Sequence, residues 1–529
     1  MASNVSNNPS VSIDAKNVQD GAETTTTDNA DSNTNDGSSS EQRQFREKEF
    51  KSSQGFYVTK RTAYFVLTLM VLSIVVAVVA ILLPMNHGRS GNSSNSTKNG
   101  SPSHGGNNTE APNGSNPEPN PQPNKNTTLS PPGSSSSASF CDSNDDFCWV
   151  QVGQTLTATN VAGINDEFGS RVSISDDGTR IVVSAPTFDQ GVPRAGLIRV
   201  YDLDVTSATW KQWGSDIVGT STQDSVVGVL SGNGQRLAVL TLVSDYNDKD
   251  IAIFDISDSV GKQPKKLGNT LRSTTQYWDV ISVDFDKEGN TIVIGNPRYP
   301  EGSMQIYRYN GLDWNQQGQE IIGNGAQDER LGFKVAISGN ASIVATSSYF
   351  ANNTKGAAKT FRLEDGGQWI LGDIVTGVDS YSYFGEQFAL SSSGTSFAVS
   401  SYVSGVPTVS VYAVSADESN TLKPVGQDIK SSRDRETIVS LALSSDGTRL
   451  AIGRQFGGVN TDRAYLYIYD LVNGSWIQVG GTISFESYSS MFYSGMDMTS
   501  DGTRIVVGGT QYNKNGHSMV FELRQSQGR

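Results

Sequence analysis

A tight-turn position followed by a β-rich run recurs seven times in the last three-quarters of the chain. It falls at Gly178, Gly234, Gly289, Asn340, Gly394, Gly447 and Gly502, at intervals of 51 to 56 residues. A second marker, a glycine closing a W-x-Q-x-G-like stretch, falls at Gly153, Gly214, Gly268, Gly318, Gly372, Gly426 and Gly480, spaced 50 to 61 residues apart. Two markers running in phase over such a period mean stacked copies of one supersecondary unit, and this length suits four strands per unit. Few chains are constrained so narrowly by so little sequence.

Unit one shows the grammar. F-G-S-R-V-S-I-S-D-D-G-T-R-I-V-V-S-A-P is followed by G-L-I-R-V-Y-D-L. A strand over Arg171–Ser175 meets an Asp177-Gly178 turn and returns as Arg180–Ala185; Asp-Gly between apolar runs is a strong hairpin signal. A third strand over Leu197–Asp202 follows a longer loop, and a fourth lies around Trp210–Gly214. Asn340 fills the turn in the fourth unit, where asparagine best tolerates a left-handed backbone after glycine. Trp149, Trp210, Trp314, Trp369 and Trp476 hold one station in five of the units, which reads as packing between units rather than as a binding residue. The repeats open on a spare W-V-Q-V-G strand and close on S-M-V-F-E-L, one strand short. Pairing the two ends closes a ring and removes two bare edges. The expected fold class is therefore all-β: a seven-bladed β-propeller over residues 140–524.

Composition narrows the chemistry. The first 140 residues hold 10 Lys+Arg against 11 Asp+Glu, and the remainder 30 against 43. The acidity belongs to the repeats, which argues against nucleic acid as a partner. Of the three histidines only His517 lies in the repeats, which removes most imidazole-dependent catalysis and His-based zinc sites. Cys141 and Cys148, in C-D-S-N-D-D-F-C, read as a small disulfide loop in an exported chain.

Ahead of the repeats, Tyr64 to Leu83 is 20 residues without a charge, enough to cross ~30 Å of hydrocarbon. Arg43, Arg46, Lys48, Lys51, Lys60 and Arg61 precede it, and only Arg89 and Lys98 follow closely. The positive-inside bias keeps the N-terminus cytoplasmic and exports the rest. The expected organisation is a disordered cytoplasmic tail (1–60), one transmembrane signal-anchor (61–85), a disordered glycosylated stalk (86–139), and the propeller outside the cell or in the lumen of a secretory membrane. Sequons begin at Asn92, Asn95, Asn99, Asn107, Asn113 and Asn126 in the stalk, and at Asn340, Asn352 and Asn473 in the repeats.

F-G-x-x-V-S-I-S-x-D-G-T-R-I-V-V-S-A-P resembles the FG-GAP-type propeller repeats of integrin α-subunits, and S-x-D-G-T-R-L-A-I also looks like TolB-type repeats. The resemblance implies a propeller. It implies calcium only where a D-x-D-x-D-G loop joins the first two strands, and the turns here read S-D-D-G, S-S-D-G and T-S-D-G. The nearest approach, D-F-D-K-E-G at Asp284–Gly289, is too short for an oxygen cage, so no metal and no cofactor is expected.

No G-x-S-x-G, no phosphate-binding glycine loop and no assembled catalytic group is found, and the chain is expected not to be an enzyme. An aromatic follows the second strand of each unit; those at Tyr246, Tyr299, Tyr349, Tyr402 and Tyr512 are the candidate binding residues, with a structural corner as the competing reading. The loop bodies at 187–196 and 510–517 are further candidates. These features imply a membrane-anchored recognition or adhesion module that binds a protein or glycan through one face. A carbohydrate-active enzyme working with carboxylates and a purely structural surface protein are the alternatives.

Overall fold

The computed structural model describes residues 139–526, apart from 142–145, 159–165, 190–191, 223, 242–249, 273–281, 299, 326–328, 416–422, 434–435, 457–462, 487–489, 492–494 and 512–513. The expected tail, span and stalk lie outside the described residues but for Ser139. Among the described residues no helix is long and apolar enough to cross a membrane.

Seven antiparallel sheets follow one another along the chain. The first is Arg171–Ile174, Arg180–Ala185, Leu197–Asp204 and Thr209–Val218, ordered from the centre outward. The innermost strands of the other blades begin at Val227, Ser282, Lys334, Phe388, Glu436 and Met496. Each innermost strand lies against the next, and Met496–Met498 lies against Arg171–Ile174, so the ring closes. This is a seven-bladed β-propeller.

Closure uses the spare strand. Phe147–Gln151 pairs with Lys514–Gln525 in the last blade, with Trp149 opposite Leu523. Ser139–Phe140 adds a further short strand outside it, and the Cys141–Cys148 disulfide ties the two. The pairing covers the outer edge of Lys514–Gln525, the strand on which the repeats end.

The tryptophan station locks neighbouring blades. The indole N–H of Trp210 donates to the Val152 carbonyl at 3.0 Å, Trp314 to Leu267 at 3.2 Å, Trp369 to Gln317 at 2.9 Å and Trp476 to Val425 at 2.8 Å. Trp149, fully buried, donates to Val479 at 3.1 Å and so carries the lock across the closure. The residue after each acceptor is the marker glycine, at positive φ, and a Cβ there would fall 2.6 to 3.3 Å from the indole Cδ1. Two glycines depart from this role. Gly214 faces Lys262 instead, and Gly372 lies inside a bulged strand, one position early, with the buried Asp373 following it.

The hairpin turns between the first and second strands form a second closed system. Asp176 donates its backbone N–H to Gly232, Asn233 to Lys287, Lys287 to Gly339, Gly339 to Ser392, Ser393 to Ser445, Ser445 to Ser500 and Ser500 back to Asp176, at 2.7 to 3.2 Å. Within a turn, the Asp177 carboxylate accepts from Ser175, Thr179 N–H and Thr179 Oγ1, and Asp446 does the same in its own blade. Arg180, Arg449 and Arg504 each pair with an acid on the third strand and donate to a turn carbonyl of the next blade. One expectation fails here. The left-handed residue in the fourth turn is Ala341, at φ 57°, and not Asn340. Asn340 takes the Asp177 role, its Oδ1 accepting from Ser338, Ser342 N–H and Ser342 Oγ. The amide imitates the carboxylate, and the belt holds alanine in a conformation glycine would adopt more easily.

Candidate functional site

Alternation of strand direction puts all short turns on one face and all longer loops on the other. In four of the blades the loops entering the innermost strand share one geometry. Asp166, Asp224, Glu329 and Ser382 are buried, and each is followed by a left-handed residue: Glu167, Ser225, Arg330 and Tyr383. The Asp224 carboxylate accepts the Thr220 and Ser221 N–H groups at 2.7 and 2.6 Å; Glu329 accepts Asn324 N–H at 2.7 Å and pairs with Lys359. Ser382 Oγ donates to the Lys355 carbonyl at 2.8 Å. Asp224, Glu329 and Ser382 are spent on holding loops, whereas Asp166 Oδ2 is buried without a hydrogen-bond partner among the described residues.

Between blades 4 and 5 the loops carry aromatic rings into one cluster. Phe333 and Tyr349 have centroids 4.1 Å apart, Tyr349 and Phe350 3.9 Å, Tyr349 and Tyr383 6.4 Å. Tyr383 then meets Tyr381 at 6.4 Å and Tyr402 edge-on at 6.2 Å and 81°. Asp379, Tyr381, Tyr383, Tyr402 and Ser404 line an open cavity of about 520 Å³. Its backbone is strained: Tyr381, Tyr383 and Ser404 have φ of 65°, 47° and 52°, and Ser404 N–H lies 3.4 Å from Asp379 Oδ2.

Charged groups sit at the inner end of this cluster, at the mouth of the central channel. Burial pushes the Glu386 carboxyl up, against the pull of Lys334. Burial pushes Lys334 down to about 8, helped by Arg171 and opposed by Glu386. Burial, then the Glu386 charge, raises the Tyr349 and Tyr402 hydroxyls. Deeper in the channel, burial raises Asp284 to about 7 and Asp497 to about 6. Both are half-buried. They serve the ring: Asp284 Oδ2 accepts the Ile337 N–H at 3.0 Å, and Asp497 Oδ2 accepts the Ile174 N–H at 2.9 Å and the Ser173 hydroxyl. Asp286 caps its own turn by accepting the Asn290 and Thr291 N–H groups. Among the described residues no group of three or more His, Cys, Asp or Glu is placed to hold a metal.

Of the five candidate tyrosines, Tyr349 and Tyr402 are brought together; Tyr246, Tyr299 and Tyr512 lie outside the described residues. Asp379, Tyr381 and Tyr383 were not among the candidates. They stand on the loop before the innermost strand, not the loop after the second strand, and the signal was the run V-D-S-Y-S-Y-F-G at the F-G position of that unit. Asn340 and Asn473 lie on the short-turn face, Asn352 on the long-loop face two residues after Phe350. The stalk sequons lie outside the described residues.

No family model matches the chain, and no curated protein matches it. Among solved structures it is similar to the β-propeller domain of Cps50 (Swd1) from Myceliophteria thermophila, at 10% identity over 70% of this chain and 99% of that one, with a TM-score of 0.46. It is also similar to Kuenenia stuttgartiensis hydrazine synthase, at 12% identity over 70% and 99%, TM-score 0.45. Sqt1 from Chaetomium thermophilum is similar at 14% identity over 70% and 100%, TM-score 0.41. The fold assignment rests on the sheets themselves.

Proposed function

We propose that this chain is a membrane-anchored recognition module, exported on a type II signal-anchor, whose long-loop face at blades 4 and 5 binds a protein or glycan outside the cytoplasm. The tyrosine-lined cavity of about 520 Å³ is the observation that carries this reading. Tyrosine supplies large, rigid contact area at low entropic cost, and small polar neighbours supply adaptable hydrogen bonds. The anchoring half rests on the uncharged stretch Tyr64–Leu83 and the basic residues before it. The buried carboxylates of the channel are engaged by backbone N–H groups, which favours binding over hydrolysis.

The test displays the full-length chain on intact cells and probes it with a glycan array and with cell-surface extracts. Binding is expected from outside the cell, and is lost when residues 379–383 are replaced by a Gly/Ser segment of equal length. It survives Thr179→Ala on the opposite face. Hydrolysis of a glycan, a propeller reachable only from the cytosol, or no binding at all would overturn the proposal.

A further inference from the structure

We infer that the blade 4–5 cavity receives an organic cation, an ammonium or guanidinium group, between the faces of Tyr381, Tyr383 and Tyr402, with the Asp379 carboxylate at its rim. The inference deepens the recognition reading and rests on it.

Three features select this chemistry. The rings do not form one flat platform. Tyr383 stands at 53° to Tyr381 and 81° to Tyr402, with centroids 6.4 and 6.2 Å away, so the three rings that line the cavity lie in different planes. A compact cation is attracted by several ring faces at once through their negative quadrupoles, whereas a pyranose stacks on one ring face at a time and gains less from rings set at steep angles. Second, the described lining contains one carboxylate and no basic side chain, so the field inside favours positive charge. Third, the same cluster already engages a cation of its own: the Arg330 guanidinium lies 4.1 Å from the Phe350 centroid. Lys334 also lies nearby, 5.9 Å from the Phe333 centroid, with the Glu386 carboxylate supporting its charge. The acidic repeats supply a weak long-range pull in the same direction.

The experiment titrates the full-length chain, in polyoxyethylene-ether micelles that carry neither ammonium nor sugar, with choline and with its neutral isostere 3,3-dimethyl-1-butanol. Saturation-transfer NMR observes the ligand methyl protons. Choline is expected to bind in the millimolar range, roughly tenfold or more tighter than the isostere, and to weaken as salt is raised. Tyr381→Ala and Asp379→Asn are expected to weaken it roughly three- to tenfold, while Tyr381→Phe retains most of the binding. A trimethyl-lysine peptide run beside free choline separates the sources; tighter peptide binding assigns a protein partner and tighter choline binding a small molecule or lipid head group. Equal binding of choline and isostere, no choline binding, choline binding unchanged in Tyr381→Ala, or displacement by methyl glucoside but not by choline would each overturn the inference. Surface ligands still captured through residues 379–383 but indifferent to choline would end this inference and leave the recognition reading standing.

Discussion

The two faces of this propeller are built from the same repeats and have opposite characters. On the short-turn face the turns are tied to one another around the ring: seven turns pass a backbone hydrogen bond from one to the next, and arginines reach across blade boundaries. On the long-loop face four of the loops share a buried polar holder and a left-handed residue, and then diverge. Blade 1 tucks Phe188 into its core, whereas blades 4 and 5 leave tyrosines around an open cavity. The proposed recognition surface is where the repeats stop agreeing.

The sharpest way to break this comparison is at the closure. Trp149→Ala removes a fully buried indole, its bond to Val479 and its contact with Gly480, and should cost about 3–5 kcal/mol of stability. Denaturant unfolding of the full-length chain measures it. A loss no larger than that of an exposed residue would mean the last blade does not depend on the N-terminal strand. Arg504→Met comes next. It deletes a charge-assisted pair with Glu522 and the reach to the Gly178 carbonyl, an expected loss of about 1.5–3 kcal/mol with ligand binding on the other face unaltered.

The turn face was legible in the sequence because its chemistry repeats with the blade. S-x-D-G-T-R, intact in the first and sixth units and with threonine leading in the seventh, states a turn, its cap and its bridge to the neighbour, and the turn position itself recurs in all seven. Even there the phase slipped at Asn340, because an amide in the Asp177 role looks like a turn residue while the strained position falls on Ala341. The second marker slipped at Gly372 for a related reason: a bulge displaced the register by one. The cavity was half legible. Tyr402, which lines it, stood out together with Tyr349, which reaches it through Tyr383, because each unit has an aromatic after its second strand. Tyr381 and Tyr383 occur in one unit only, on a loop whose counterparts elsewhere carry Glu167 and Arg330, so no periodicity could expose them. Their meeting is a product of two adjacent blades, and adjacency across loops has no linear signature.

The channel between the faces gives a smaller, pH-dependent effect. Asp284 is raised from the ordinary carboxylate range to about 7, so the folded state holds its proton where the unfolded state has released it. Its contribution is fully present below about pH 4 and is lost as pH rises toward 7. Asp284→Asn keeps an oxygen for the Ile337 N–H and removes that loss. The variant should match the parent near pH 4 and exceed it by about 1–2 kcal/mol above pH 7, the full shift being discounted for channel water. His517 works in the opposite sense. Burial lowers it to about 4, so the unfolded state takes up its proton first and stability falls as pH drops from about 6.5 toward 4. Melting temperatures across this range separate the two, since only the first dependence disappears in the asparagine variant.

The smallest expected stability change tests the comparison most closely, because it asks whether the cavity is held against local preference. Tyr381 is 67% exposed and adopts φ 65°, a conformation that costs a tyrosine and not a glycine. Its ring adds little to the core, so Tyr381→Gly should leave stability unchanged or raise it by about 0.5–1 kcal/mol, by relief of strain set against the added freedom of the unfolded chain. Tyr381→Ala keeps the strain and should stay within about 0.5 kcal/mol of the parent. Both should lose cation binding equally, since both lose the ring face. A glycine variant that is clearly less stable would show that the ring packs into the fold, and the tyrosine would then belong with the tryptophans of the blade locks, not with a ligand surface.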